Sequence, residues 1–253
     1  MSSAAGSEPA PAPGRAPFEE RDFHALSERH AADPEANDRR LSVRRKLAAI
    51  AKAIVPRARE RGVALDTRTS LHHPHAFNGM RVRRLWAYLT RPKAEKTKLR
   101  RVLGAELAKD LDSAYRNGYL CVAIEESALE VSLRIHPDAW YDGQNLAKRV
   151  AAQGSRELLG LLRELDGFQL RLHDWKGEWR CSGLEPERLD ELFGFYVPGE
   201  HGLAVERRFP ASGAARAAAL GDKVPAMLAD EVLRLLPVYR FALWSKESDF
   251  LFS

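Results

Sequence analysis

The stretch YLCVAIEESALEVSLRIH, residues 119–136, decides the predicted fold. Two apolar segments, residues 119–125 and 129–136, flank a short turn, which is the pattern of a β-hairpin. From Val131 onward, apolar and polar residues alternate, as in a strand with one buried and one polar face. This stretch is therefore predicted to form an antiparallel hairpin.

Further strands are predicted on both sides of this hairpin. The dipeptide Asn78-Gly79 favours a tight turn and lies between two segments rich in β-forming residues. A later hairpin has Trp175 and Trp179 at its turn, where they either form a platform for a flat ligand or cap a sheet edge. The predicted strands beyond residues 119–136 span 63–69, 80–90, 168–173, 178–181, 202–209 and 238–244.

Two helices stand out by their apolar periodicity. In residues 39–61, Val43, Leu47, Ile50 and Ile54 form one apolar stripe, Asp38 is the expected N-cap, and Pro56 is expected to kink or end the helix. A second helix is predicted over residues 93–115, with an apolar stripe at Leu99, Val102, Leu103, Leu107, Leu111 and Ala114. Shorter helices are predicted over 144–150, 155–165, 186–192, 211–220 and 225–236.

Hairpins outnumber βαβ units in this order of elements, so the fold class is predicted to be α+β. We expect a single domain over residues 21–253, with a mixed, mostly antiparallel sheet built from hairpins and helices largely on one face. Residues 1–20 are rich in Ala, Pro and Ser and are expected to be a disordered tail. The order loosely resembles that of bacterial α+β families, but it matches none of their diagnostic motifs.

The charge is distributed very unevenly along the chain. The net charge is −5 over residues 1–38, +16 over residues 39–101 and −6 over residues 102–253, so the total of +5 hides a strongly basic segment. Such an asymmetry is typical of proteins that bind nucleic acid or an acidic partner protein. The alternative interpretation is that solvated helix faces carry this charge and that acidic parts of the same chain neutralise it.

Arginine and lysine contact phosphates, and aromatic rings stack on unpaired bases, so both residue types in the basic segment are candidates for nucleic-acid or anion binding. Cations in the first turns of the helix over residues 93–115 oppose its dipole, which suggests that they have another role. The candidate binding residues are Arg44, Arg45, Arg84, Trp86, Tyr88, Lys96, Lys98, Arg100 and Arg101.

An enzyme is the second functional hypothesis. Glu130, Arg134 and His136 share one face of a predicted strand and include an acid, an anion-binding group and a base. His73 and His75 are weak candidates for metal ligands that would assist this site. The alternative is a solvent-exposed strand face with cross-strand ion pairs.

No cofactor is predicted, because the chain contains no GxSxG motif, no Walker phosphate loop, no HExxH motif and no GxGxxG motif after a predicted strand. No run of about 18 apolar residues is present, so no membrane partner is expected. The two cysteines, Cys121 and Cys181, are sixty positions apart and are expected to be reduced and inert in a cytoplasmic protein. The oligomeric state is not predicted.

Overall fold

A computed structural model describes residues 17–70, 81–173, 175, 177 and 179–252. Its centre is one seven-stranded sheet with the order β1-β2-β3-β4-β7-β5-β6, in which every described pair of neighbours is antiparallel. The strands are β1 Asp66–Thr69, β2 Arg84–Thr90, β3 Tyr119–Glu125, β4 Ala128–Ile135, β5 Gln169–Leu172, β6 Trp179–Arg180 and β7 Leu203–Pro210.

Most of the helices pack against one face of this sheet. The helices are α1 Glu20–His24, α2 Asn37–Glu60, α3 Lys93–Leu107, α4 Trp140–Gln153, α5 Arg156–Arg163, α6 Pro186–Phe195, α7 Arg216–Ala219, α8 Val224–Arg234 and α9 Leu236–Ala242. The longest helix, α2, contacts β1, β2 and α8, while α8 also contacts β3 and β4. The predicted single-domain α+β class is therefore confirmed.

Alternation along the strands produces the main core. Leu120, Val122 and Ile124 on β3 are fully buried beneath the helices, and Val131 and Leu133 on β4 lie beside them. In an extended strand the residues between these positions must point to the opposite face. The core face thus fixes which side chains form the other side of the sheet.

The apolar stripe predicted for α2 is buried, with Val43, Leu47 and Ile54 fully inaccessible to solvent. One detail of the prediction is wrong, because α2 begins at Asn37, before the expected cap. Of the two effects expected of Pro56, ending the helix is excluded, because α2 continues through Pro56 to Glu60. Proline removes one hydrogen bond from a helix, but Pro56 is exposed, so water can satisfy the carbonyl group that it leaves free.

The predicted helix over residues 93–115 is shorter in the structure, because α3 ends at Leu107 and Gly104 adopts a φ of 80° inside it. The positive φ interrupts the helical path, so the expected stripe does not continue on one face. Leu99 and Leu103 are buried, whereas Leu107 is 53% exposed. A glycine adopts this backbone conformation without the strain that a side chain would add.

The strand predicted over residues 238–244 is also wrong, because most of this segment belongs to α9. Pro237 begins this helix instead of stopping the preceding one, since a proline in the first turn loses no helical hydrogen bond. Val238, Tyr239 and Phe241 are all buried. A short run that is mostly apolar, here interrupted only by the exposed Arg240, does not distinguish a strand from a buried helix.

Three segments meet at the buried carboxylate of Asp142 on α4. It forms an ion pair with Arg91, which follows β2, and both side chains are buried. It also accepts hydrogen bonds from the backbone N–H groups of Gly118 at 2.8 Å and Trp244 at 3.0 Å. Asp142 therefore ties the end of β2, the start of β3 and the C-terminal segment to one helix.

The predicted tail and one predicted hairpin are described only in part. Residues 1–16 of the tail lie outside the described residues, whereas residues 17–20 are described and Phe18 packs in the core with 1% exposure. The predicted turn at Asn78-Gly79 also lies outside them. The strands on either side of that turn, β1 and β2, pair antiparallel, as the hairpin prediction requires.

Candidate arginine and aromatic site on the open face of the sheet

The side of the sheet opposite the helices carries a continuous surface of polar and aromatic side chains, here called the open face. Cross-strand register places Tyr88 beside Cys121, Cys121 beside Ser132, and Ser132 beside Glu206. The open face consists of Arg84, Trp86 and Tyr88 on β2, Tyr119, Cys121, Ala123 and Glu125 on β3, Glu130, Ser132 and Arg134 on β4, Ala204, Glu206 and Arg208 on β7, and Gln169 and Arg171 on β5.

Two buried glutamates organise the arginines of this face. Glu130 is 1% exposed and accepts hydrogen bonds from Arg84 at 2.8 Å and Arg134 at 2.7 Å. Glu206 is 3% exposed and accepts from Arg134 at 2.7 Å and Arg171 at 2.8 Å. Because each carboxylate holds two guanidinium groups, the arginine side chains are fixed in position before any ligand arrives.

Glu125, the last residue of β3, extends this network. This carboxylate accepts from Arg84 at 2.7 Å and from Arg208 at 2.6 Å, and Arg208 also lies 3.4 Å from Glu130. Four arginines and three glutamates thus form one chain of ion pairs across five strands. The arginines outnumber the carboxylates, so this network has a positive net charge.

The surroundings of Glu130 keep it ionised. Burial alone would raise the pKa of its carboxyl group, but Arg84 and Arg134 outweigh burial and lower the pKa to about 2. A carboxylate with so low a pKa is a poor proton acceptor near neutral pH. Its main effect is to orient the arginines around it.

Aromatic rings lie beside the arginines on the β2–β3 half of the face. Trp86 and Tyr88 are partly exposed, and the ring of Tyr88 meets the ring of Tyr119 edge-on with centroids 5.9 Å apart. The neighbouring side chains of Cys121 and Ala123 on β3 are small, and they are almost fully buried beneath these rings. The face therefore combines flat apolar surfaces with fixed cations.

A groove with a volume of about 680 Å³ runs along this face. Such a volume is in the range of sites that hold small molecules or short segments of a polymer. The side chains that line it include Arg84, Tyr119, Arg134, His136, Arg171, His173, Trp175 and Arg208.

The structure separates the nine candidate binding residues into three locations. Arg84, Trp86 and Tyr88 lie together on the open face, next to residues from β3 and β4. Arg44 and Arg45 lie on α2, where Arg44 donates to the hydroxyl of Thr69 and to the backbone carbonyl of Ser70. The remaining four lie on α3, and they are Lys96, Lys98, Arg100 and Arg101.

Acidic residues pair with many cations of the basic segment. On α3, Lys98 pairs with Glu95 at 2.7 Å and Arg100 lies 3.6 Å from Asp112, while Lys96 is 5% exposed. Residues before and after the segment contribute most of the other partners. The pairs are Arg39 with Glu19 and Asp22, Lys46 with Glu19 and Asp22, Arg57 with Asp230, Arg81 and Arg83 with Glu28, and Arg91 with Asp142.

The three catalytic candidates are brought onto one side of β4 but not to one point. Arg134 contacts Glu130, whereas His136 follows the strand, and its ring nitrogen accepts a hydrogen bond from the backbone N–H of Asp138 at 3.2 Å. Six residues of extended chain span about 20 Å, so Glu130 and His136 lie too far apart to act on the same atom. His136 nevertheless lines the groove.

The two metal-ligand candidates, His73 and His75, lie outside the described residues. Among the residues that the structure describes, no group of three or more His, Cys, Asp or Glu side chains is arranged to hold a metal ion. The two cysteines, Cys121 and Cys181, are free thiols and are buried. Burial raises the pKa of the Cys121 thiol to about 11.

Several residues of the open face are not among the candidates taken from the sequence. Arg208 and Glu206 belong to a predicted strand, but their alternation alone does not reveal which distant side chains they meet. Arg171 and Tyr119 are likewise brought into the site only by strand pairing. A signal for the site was present in the alternation of charged with apolar residues, as in Glu206 and Arg208, although it did not specify the partners.

Comparisons with models of protein families and with curated proteins find no match to this chain. Within the described part of the chain, no helix is both long enough and apolar enough to cross a membrane.

Proposed function

We propose that this protein binds single-stranded nucleic acid on the open face of its sheet. The observation that carries the proposal is the placement of fixed arginines beside partly exposed aromatic rings on the face of the sheet opposite the main core. Guanidinium groups bind phosphates, and aromatic rings stack on bases that are not paired. Groups that bind phosphates and rings that stack on unpaired bases thus lie on the same surface.

The arginines of the open face differ in how they can contact a ligand. Each guanidinium group has five N–H bonds, and Arg134 uses its Nε and Nη2 atoms for Ser132 and the two buried glutamates. Arg171 and Arg208 are more accessible, with side chains 44% and 38% exposed. These two residues are therefore the best first contacts for phosphate groups.

A single strand fits this face better than a duplex or an acidic protein does. The rings of Trp86 and Tyr88 lie within the sheet surface, where only an unpaired base can reach and stack on them. A duplex would present only its phosphates to this face, and an acidic peptide has no bases that could stack on the rings. The position of the rings beside the arginines thus favours a single strand.

The proposal is tested with a fluorescently labelled twelve-nucleotide oligothymidylate and its oligouridylate counterpart, whose binding is followed by anisotropy. If three or four phosphates are contacted, the logarithm of affinity falls with the logarithm of salt with a slope of about −2 to −3, and binding weakens about 15- to 60-fold between 50 and 200 mM salt.

Matched variants locate the binding surface. We expect Arg171→Ala combined with Arg208→Ala to reduce both affinity and salt dependence, whereas Arg188→Ala, which removes an exposed arginine elsewhere, leaves both unchanged. Replacing Arg45 and Arg101 by alanine tests the two helices of the basic segment in the same assay. The proposal fails if the protein binds neither oligonucleotide at 50 mM salt, or if only the helix variants weaken binding.

A further inference from the structure

Trp175 lies at the far end of the groove from the aromatic residues of β2. It follows β5, where its backbone N–H donates to the carbonyl of Leu172. It lines the groove together with Arg171 and His173. The groove thus reaches Trp175 on the β5 side, and on the β2 side it reaches Arg84, which shares a strand face with Trp86 just outside the groove lining.

Other aromatic residues hold this ring from behind. The ring of Phe195 meets that of Trp175 edge-on with centroids 4.5 Å apart, and the ring of Trp179 lies 6.0 Å away. Phe195 in turn stacks on His201 at 4.6 Å. Because the ring is supported on several sides, it offers a fixed surface at little cost in conformational entropy.

The separation of the Trp86 and Trp175 rings sets a length. The strand order β2-β3-β4-β7-β5 contains four steps between neighbouring strands, which amount to about 19 Å across the sheet at the usual spacing. The two rings are also offset along the strands, because Trp86 is level with Arg208 whereas Trp175 lies beyond Leu172, which pairs with Leu203. The five residues from Leu203 to Arg208 add about 17 Å, so the rings are about 25 Å or more apart. A strand of a few nucleotides cannot contact both rings, whereas a strand of about eight to ten nucleotides can, since a stacked strand rises about 3.4 Å per nucleotide.

We infer that Trp175 is a second base-stacking site, which makes the groove selective for strands long enough to reach it from Trp86. The inference rests on the proposed function, because it assigns a role within the same binding surface. It adds a minimum ligand length and a residue that determines it. Shorter strands occupy only one end and gain nothing from the other.

The experiment measures the affinity of labelled oligothymidylates of two, four, eight and twelve nucleotides at 50 mM salt. For the native chain we expect affinity to rise steeply until a strand reaches both rings. Trp175→Ala should change the affinity for the two-nucleotide strand by less than about twofold and weaken binding of the twelve-nucleotide strand about 5- to 150-fold, the contribution of stacking one base on an aromatic ring. Trp175→Phe should retain most of the affinity.

Controls separate this inference from the function on which it rests. Phe252→Ala removes a 67% exposed aromatic ring outside the groove and should change none of the affinities. If Trp175→Ala binds every length as the native chain does, or weakens all lengths by the same factor, the second stacking site is refuted while the proposed function stands. If the native chain binds no length at all, both are refuted.

Discussion

Replacing Glu130 by glutamine tests the central role of this residue in the open face. Its pKa is lowered from 4.5 to about 2 in the folded protein, a difference that corresponds to about 3 kcal/mol of stability at neutral pH. The glutamine side chain has nearly the same shape but no charge. We therefore expect Glu130→Gln to reduce the free energy of unfolding by about 3 kcal/mol at pH 7, and the melting temperature by about 6–12 °C.

The pH dependence distinguishes this explanation from a simple loss of packing. The folded pKa of Glu130 is depressed, so its stabilisation is present above the unfolded pKa of 4.5 and is lost as the pH falls towards 2. At pH 3 the unfolded carboxyl group is mostly protonated, and about 2 kcal/mol of the stabilisation has disappeared. The difference between the native chain and Glu130→Gln should then shrink to about 1 kcal/mol.

Urea denaturation followed by circular dichroism at pH 7 and at pH 3 measures both differences. Glu187→Gln is the matched control, because Glu187 is exposed and its replacement should change stability by less than about 0.5 kcal/mol. A destabilisation by Glu130→Gln that is below 1 kcal/mol at pH 7, or that is equal at the two pH values, would refute the electrostatic explanation.

Three further predictions concern the core. Asp142→Asn should reduce stability by about 3–5 kcal/mol in chemical denaturation, because it leaves the buried Arg91 without its charged partner. Cys121 should react with a thiol reagent at pH 8 far more slowly in the folded chain than in urea, since burial raises its pKa to about 11, and equal rates would contradict this. Gly118→Ala should cost about 1–3 kcal/mol, because a Cβ atom would lie 2.7 Å from Leu243, and an unchanged melting temperature would count against this packing.

The local elements of the fold follow from the sequence where one face is clearly apolar. The hairpin of β3 and β4 and the helix α2 are found where alternation and periodicity predict them, because burial of one face determines each element almost alone. The prediction was wrong where a short, mostly apolar run fits a strand as well as a helix, as in α9, and where a glycine changes the direction of the chain, as at Gly104.

The candidate site could be predicted only in part. The sequence placed Arg84, Trp86 and Tyr88 on one strand face and Glu130 and Arg134 on another, but it assigned the two groups to different hypotheses. Pairing of β2 with β3 and of β3 with β4 brings these groups together, and this register depends on long-range packing. Strand alternation specifies which residues share a face but not which strands are neighbours.

The sequence by itself determined the α+β class, the buried stripe of the longest helix and the concentration of positive charge in residues 39–101, because composition and periodicity are local properties. Only the tertiary structure decided how that charge is used. Folding pairs many of the segment's cations with acidic residues from elsewhere in the chain, and it places Arg84 beside Arg134, Arg171 and Arg208 around two buried carboxylates. Coulombic interactions depend on distance in space, and only the sheet brings these groups within reach of one another.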